Sequence, residues 1–305
     1  MKAPLIFAAL LTVSAPSFGA VAENRFAATI VPAEKFDVGT LLVERHGDHG
    51  SPMIFIPGLS SGAWAWQDAV RQFRTEHIVY VVTLPGFDGR KPIAGNAFDA
   101  AQKSLLELIA SHKIAKPVLV GHSLGGTLSI ALAEGHSDVI GGVIALEGLP
   151  VFPGTEGMLA EQRPQMAAGM KARMGAPTSE AFASQQQQYM RGIGVIDMGK
   201  ADDLAKLSAN SDPAAVIEYM AEVVALDLRS ALPKITVPVL VISPYFQADG
   251  EQMKIPEDGK VAYYKSLMAG TPKLEVVSVS PARHFAMFDQ PQKVADAIRA
   301  FMNKR

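Results

Sequence analysis

The chain has 305 residues, 49% of them hydrophobic, with 28 Lys and Arg against 30 Asp and Glu. That is enough apolar sequence for a sizeable core, and the near balance of charge offers no electrostatic basis for a nucleic-acid or anionic-membrane partner. Cysteine is absent, which excludes disulfides and thiolate metal sites.

The first residues, Met1 and Lys2, lead into an apolar run (LIFAALLTV, 5–13) and then a small-residue stretch ending in Ala20-Val21-Ala22. This pattern predicts a signal peptide over 1–22 and a mature start at Glu23. The apolar run is too short to span a bilayer. The expected location is secreted or periplasmic, without stable membrane insertion. Residues 26–31 and 40–43 predict a leading pair of antiparallel strands. Short apolar runs then recur at 53–56, 78–82, 118–120, 143–146, 237–242 and 274–279. Most lack alternation, as strands buried on both faces of a parallel sheet do. Between them, Phe98, Ala101, Leu105, Leu108 and Ile109 share one helical face, as do Val294, Ile298 and Phe301 near the C-terminus. The alternation predicts an α/β fold with a mostly parallel central sheet flanked by helices.

The alternation stops over residues 150–232. That region is helical in pattern and carries Met158, Met166, Met170, Met174, Met190, Met198 and Met220. It predicts an inserted helical cap over a core formed by 23–149 and 233–305.

A serine hydroxyl becomes a nucleophile only with a base in reach, a group orienting that base, and donors for the oxyanion. Gly121-His122-Ser123-Leu124-Gly125 fits G-x-S-x-G. A strand-forming run precedes it and a helix-capable run, 127–134, follows. That is the strand–turn–helix context of a nucleophile elbow, with the Leu124 amide at a helix N-terminus.

On these residues the chain resembles the α/β-hydrolase superfamily, over nearly all of the expected mature sequence. The resemblance implies that Ser123 is the nucleophile. It also implies that Ile56-Pro57-Gly58-Leu59 with Trp64 forms the loop carrying the second oxyanion donor. Leu59 and Leu124 would supply the two amides. Proline stands where the family often has histidine, and it lacks an N–H, but Leu59 keeps its own. His284, in Ser280-Pro281-Ala282-Arg283-His284-Phe285 after the last strand, would be the base. For the acid, Asp249 in the loop after 237–242 ranks first, Glu147 at the end of 143–146 second, and Glu251 third. For Glu147 the simpler expectation is a buried carboxylate bonded to loop amides. His122 is expected to turn away from the serine, and His46 and His49 to sit in a polar turn.

Trp64, Phe152 and Met158 are expected to line a substrate pocket. The reaction implied is hydrolysis of a carboxylic ester or lactone with an apolar part, through a Ser-His-Asp triad and an acyl-enzyme, with no cofactor. A serine in place of an aspartate nucleophile argues against dehalogenase or epoxide-hydrolase chemistry. Carbon–carbon bond hydrolysis, perhydrolysis and a non-catalytic binding role are the alternatives.

Overall fold

Strands with no polar face must be covered on both sides, and the fold follows from that requirement. The structure, a computed structural model, describes residues 24–304. The expected signal segment lies outside the described residues. Eight strands form one sheet: β1 (Glu34–Val38), β2 (Leu41–His46), β3 (Met53–Ile56), β4 (Val79–Thr83), β5 (Val118–His122), β6 (Gly142–Leu146), β7 (Val239–Pro244) and β8 (Leu274–Val279). Their spatial order is β1-β2-β4-β3-β5-β6-β7-β8. β2 runs antiparallel to both its neighbours, and every pair from β4 to β8 is parallel.

The leading strand differs from expectation. Residues 26–31 are not a strand. The amides of Thr29 and Ile30 donate to Gln67 Oε1, and the Phe26 ring packs edge-on against Phe288. This segment is a strap across the helical layer, and the hairpin forms later, at β1 and β2. His46 lies on β2 and is buried, rather than in a polar turn.

Alternate residues of each central strand feed opposite cores. Ile54, Ile56, Leu119, Val143 and Val241 join the core on the face covered by α2 (Ala97–Ser111) and α3 (Leu124–His136). Met53, Phe55, Val120, Ile144 and Leu240 join the other, covered by α1 (Gln67–Phe73), α10 (Ala286–Asp289) and α11 (Pro291–Asn303). α2 begins where Asn96 Oδ1 accepts the Asp99 amide at 2.8 Å, an N-cap for the first turn. Its buried face includes Phe98, Ala101, Leu105, Leu108 and Ile109.

Between β6 and β7 the chain forms α4 (Arg163–Met174), α5 (Ser179–Tyr189), a π-turn (Met190–Gly194), α6 (Met198–Ser208) and α7 (Pro213–Ala225). Arg163, only 3% exposed, pins this segment. Its guanidinium donates to Thr155 Oγ1 and O, to Leu226 O and to Asp227 Oδ2. α8 (Gln247–Met253) and α9 (Glu257–Leu267) connect β7 to β8. No described helix is long and apolar enough to cross a membrane.

Where α3 meets the sheet, backbone packs directly against backbone. A Cβ on Gly121 would lie 2.1 Å from Gly125 O, one on Gly125 2.3 Å from Ile56 O, and one on Gly126 2.7 Å from Gly148 Cα. All three obstacles are backbone atoms, which cannot rotate away. Gly125→Ala is therefore expected to destabilise the fold by about 2 kcal/mol or more through overpacking. Gly135→Ala, in the same helix with nothing within 4 Å of the added Cβ, is expected to stabilise by about 0.5–1 kcal/mol. Chemical denaturation of the two variants checks both signs.

Candidate active site

The site lies at the carboxyl ends of the parallel strands, where open α/β sheets present their loops. β5 ends at His122, and the Ser123 amide still donates to Leu146 O of β6 at 2.9 Å. One residue later α3 begins. Ser123 makes the turn alone, at φ 51° and ψ −117°, a conformation that side chains other than glycine rarely adopt. Ser123 Oγ accepts and donates no hydrogen bond among the described residues, and it opens onto a cavity of about 450 Å³.

His284 lines the same cavity. Its Nδ1 donates to Glu147 Oε2 at 2.6 Å, which leaves Nε2 as the nitrogen free to act as a base. Glu147 follows β6, its amide donating to Ile242 O at 3.0 Å, and it too has positive φ, 51°. Two donors from α9 occupy its other oxygen. Tyr264 OH donates to Oε1 at 2.5 Å and Lys260 Nζ at 2.8 Å. Lys260 Nζ also donates to Pro244 O at 2.6 Å. Burial would raise the Glu147 carboxyl, but the His284 hydrogen bond and the Lys260 charge outweigh it and bring it down to about 2.

The structure brings Glu147, not Asp249, to His284. Residues 247–253 coil into α8, and that turn hands Asp249 to Arg283. The guanidinium donates from Nε to Oδ2 at 2.8 Å and from Nη2 to Oδ1 at 2.7 Å. Glu251 is engaged by Gln247 Nε2 at 2.7 Å on the surface. Glu147 is also not held by loop amides. Its carboxylate partners are side chains.

Two anchors set the orientation of His284. His122, fully buried, is held well below the usual imidazole range by desolvation and by the nearby His284. It is therefore neutral, and its Nε2–H donates to the His284 carbonyl at 3.1 Å. The π-turn supplies the second anchor. The amides of His284 and Phe285 donate to Ile193 O and Gly194 O at 3.2 and 2.9 Å.

Leu59 and Leu124 both line the cavity. Neither amide finds an acceptor among the described residues. Gly58 brings the first of them close, since a Cβ there would sit 3.2 Å from Ser123 Cβ. Of the expected pocket residues, Phe152 lines the cavity, whereas Trp64 and Met158 do not. Trp64 is buried at 1% exposure, its ring against Phe285 and Phe288, so it supports the histidine loop from below. Of the methionines in the inserted segment, Met220 reaches the cavity. Lys260 and Tyr264 escape a reading of the sequence. Their only signal is the spacing of four residues that puts them on one face of a helix.

A nucleophile-elbow turn in this sheet order defines an α/β protein of the hydrolase class. The chain belongs to the alpha/beta hydrolase family, which matches residues 53–297. It is 24% identical over 269 residues to the biotin biosynthesis bifunctional protein BioHC of Teredinibacter turnerae, covering 84% of this chain and 45% of that protein. The chain thus spans less than half of that relative. It is 28% identical over 192 residues to 2-succinyl-6-hydroxy-2,4-cyclohexadiene-1-carboxylate synthase of Escherichia coli O1:K1, covering 62% of this chain and 75% of that enzyme. Among solved structures, a thermophilic esterase from Thermogutta terrifontis with malate bound superposes with a TM-score of 0.66 at 24% identity, covering 89% and 99% of the two chains.

Glu147 also makes stability depend on pH. Its folded-state value, about 2, lies below the ordinary 4.5, so its contribution is complete above the ordinary value and is lost as pH falls toward the folded one. Glu147→Gln lacks this titration. The stability gap between wild type and this variant is expected to narrow by about 1–2 kcal/mol between roughly pH 4.5 and 3. Urea unfolding at a series of pH values measures the gap.

Proposed function

We propose that the protein is a serine hydrolase acting on uncharged carboxylic esters or lactones, with Ser123, His284 and Glu147 as its catalytic triad. The observation that carries this reading is the strained Ser123 turn opening onto the cavity in which His284 is held by Glu147. Ser123 Oγ attacks the carbonyl carbon while His284 Nε2 takes its proton. The Leu59 and Leu124 amides receive the oxyanion, and Glu147 stabilises the imidazolium. Collapse of the tetrahedral species breaks the bond to the leaving alcohol, which takes the proton from His284. Water, deprotonated by the same imidazole, then releases the acid from Ser123.

The cavity wall supports the substrate class. Leu149, Val151, Phe152, Met220, Val223 and Leu226 line it, with Glu147 as the carboxylate among the lining residues. The product named for the Escherichia coli relative and the malate bound to the Thermogutta esterase both carry carboxylates. In this cavity a carboxylate would be desolvated beside Glu147 without a cation to meet it, which is costly. The inserted segment contributes Tyr189, Ile193, Met220, Val223 and Leu226 and so acts as the cap that shapes the acyl pocket. We also propose that residues 1–22 direct export. N-terminal sequencing of the protein recovered from its host, starting at Glu23, is the expected result.

A fluorophosphonate probe is expected to label Ser123, and Ser123→Ala to abolish both labelling and ester hydrolysis. Persistent turnover by Ser123→Ala refutes the reading. Glu147→Gln is expected to lose roughly a thousandfold in kcat/KM, in line with removal of a triad carboxylate, whereas Asp249→Asn stays within about threefold because it does not touch His284. Between p-nitrophenyl esters of matched size, the neutral acyl chain is expected to be preferred over a terminal carboxylate by about a hundredfold, equivalent to about 2.7 kcal/mol. Equal rates would remove the uncharged-substrate assignment and leave the nucleophile standing.

A further inference from the structure

In a triad the carboxylate stabilises the imidazolium through its negative charge. Here that charge has further partners. One oxygen of Glu147 binds His284 and the other takes an ammonium and a phenol, both from α9. The Lys260 side chain is three-quarters buried, and its ammonium is held in place by the Pro244 carbonyl at 2.6 Å. It is thus a fixed charge rather than a wandering surface cation. We infer that Lys260 is a positioning residue that compensates Glu147 and thereby sets the pH below which His284 ceases to act as a base, with Tyr264 as the uncharged half of the same clamp. This rests on the triad reading above.

The direction follows from charge alone. Glu147 favours the imidazolium of His284 and the Lys260 ammonium opposes it. With both present, the histidine remains neutral, and so a base, to lower pH than with the carboxylate alone. The other groups facing the pair do not supply this charge. His122, from the end of β5, is neutral and lies 4.6 Å away ring to ring. Tyr189, from the inserted segment, meets His284 edge-on at 6.2 Å. Tyr263 stands beside Tyr264 but donates its own hydroxyl to Glu156. Arg283, next in the chain to His284, is forked onto Asp249. Lys260 is the cation in contact with the Glu147 carboxylate.

The test is the pH dependence of inactivation by a small neutral fluorophosphonate at low ionic strength, together with NMR titration of the His284 ring, for wild type, Lys260→Met, Lys260→Arg and Tyr264→Phe. Lys260→Met is expected to raise the acid-limb midpoint by about one pH unit, the size of effect one close, partly buried charge exerts. Lys260→Arg is expected to keep the wild-type midpoint, and Tyr264→Phe to move it by less than half as much as Lys260→Met. Coincident midpoints for wild type and Lys260→Met, within about 0.2 units (well inside that one-unit expectation), overturn the inference and leave Lys260 a strut. If Lys260→Met does not fold, Lys260→Gln takes its place with the same expectation. Failure of wild type to label at any pH overturns the serine-hydrolase reading instead, and the His284 titration then still decides whether Lys260 sets its protonation.

Discussion

The approach of α3 to the sheet is the constraint on which the site depends. Gly121, Gly125, Gly126 and Gly148 bring backbone against backbone at distances no Cβ would allow. Because the helix starts one residue after β5 ends, Ser123 must reverse the chain by itself, and positive φ is the only way to do so in that space. The strain is held in place by the packing around it. The same geometry leaves the first amides of α3 without helical acceptors, among them that of Leu124, a residue that lines the cavity. The strained turn at Ser123 and the Leu124 amide left without an acceptor among the described residues are thus two consequences of one close contact. The β3 loop is drawn into it through Gly58, which has no side chain to hold it away from His122 and Ser123.

The carboxylate shows what separates position along a strand from position in a loop. Asp249 has a favourable place in chain order, but chain order does not say where a side chain points once residues 247–253 become a helix. Its neighbour Arg283 decides the matter, because a guanidinium fork captures a carboxylate more completely than one imidazole nitrogen can. Glu147, one residue beyond β6, has less freedom. Its backbone is still tied to β7 through Ile242, so its side chain is delivered to a fixed point, and positive φ turns it toward the histidine loop.

That contrast explains how much could be read from the sequence. Unbroken apolar runs at 53–56, 118–120 and 143–146 mark buried parallel strands because both of their faces meet a core. The glycine-bounded serine marks the elbow because only glycines fit there. The fold class and the turn at Ser123 were legible for these reasons, whereas His284 stood out only by its place after the last strand. Residues 26–31 looked like a strand by composition, but Gln67 takes two of their amides and no strand partner is left for them. Trp64 looked like a pocket residue by its place after the β3 loop, yet a short 3₁₀ turn (Ala63–Trp66) swings it into the core. Lys260 and Tyr264 were invisible because nothing in α9 alone records which strand end it crosses.

The inserted segment is bound to the His284 loop as well as to the cavity wall. Arg163 locks its first helix to Thr155, Leu226 and Asp227, close in sequence to Phe152 and on either side of the cavity wall. In its middle, between α5 and α6, the π-turn gives the carbonyls of Ile193 and Gly194 to the amides of His284 and Phe285, while Ile193 itself lines the cavity. Ile193 and Gly194 are the last residues of that turn, where helical carbonyls have no internal donor to meet. The cavity wall at Ile193 and the loop that carries His284 are therefore one hydrogen-bonded unit.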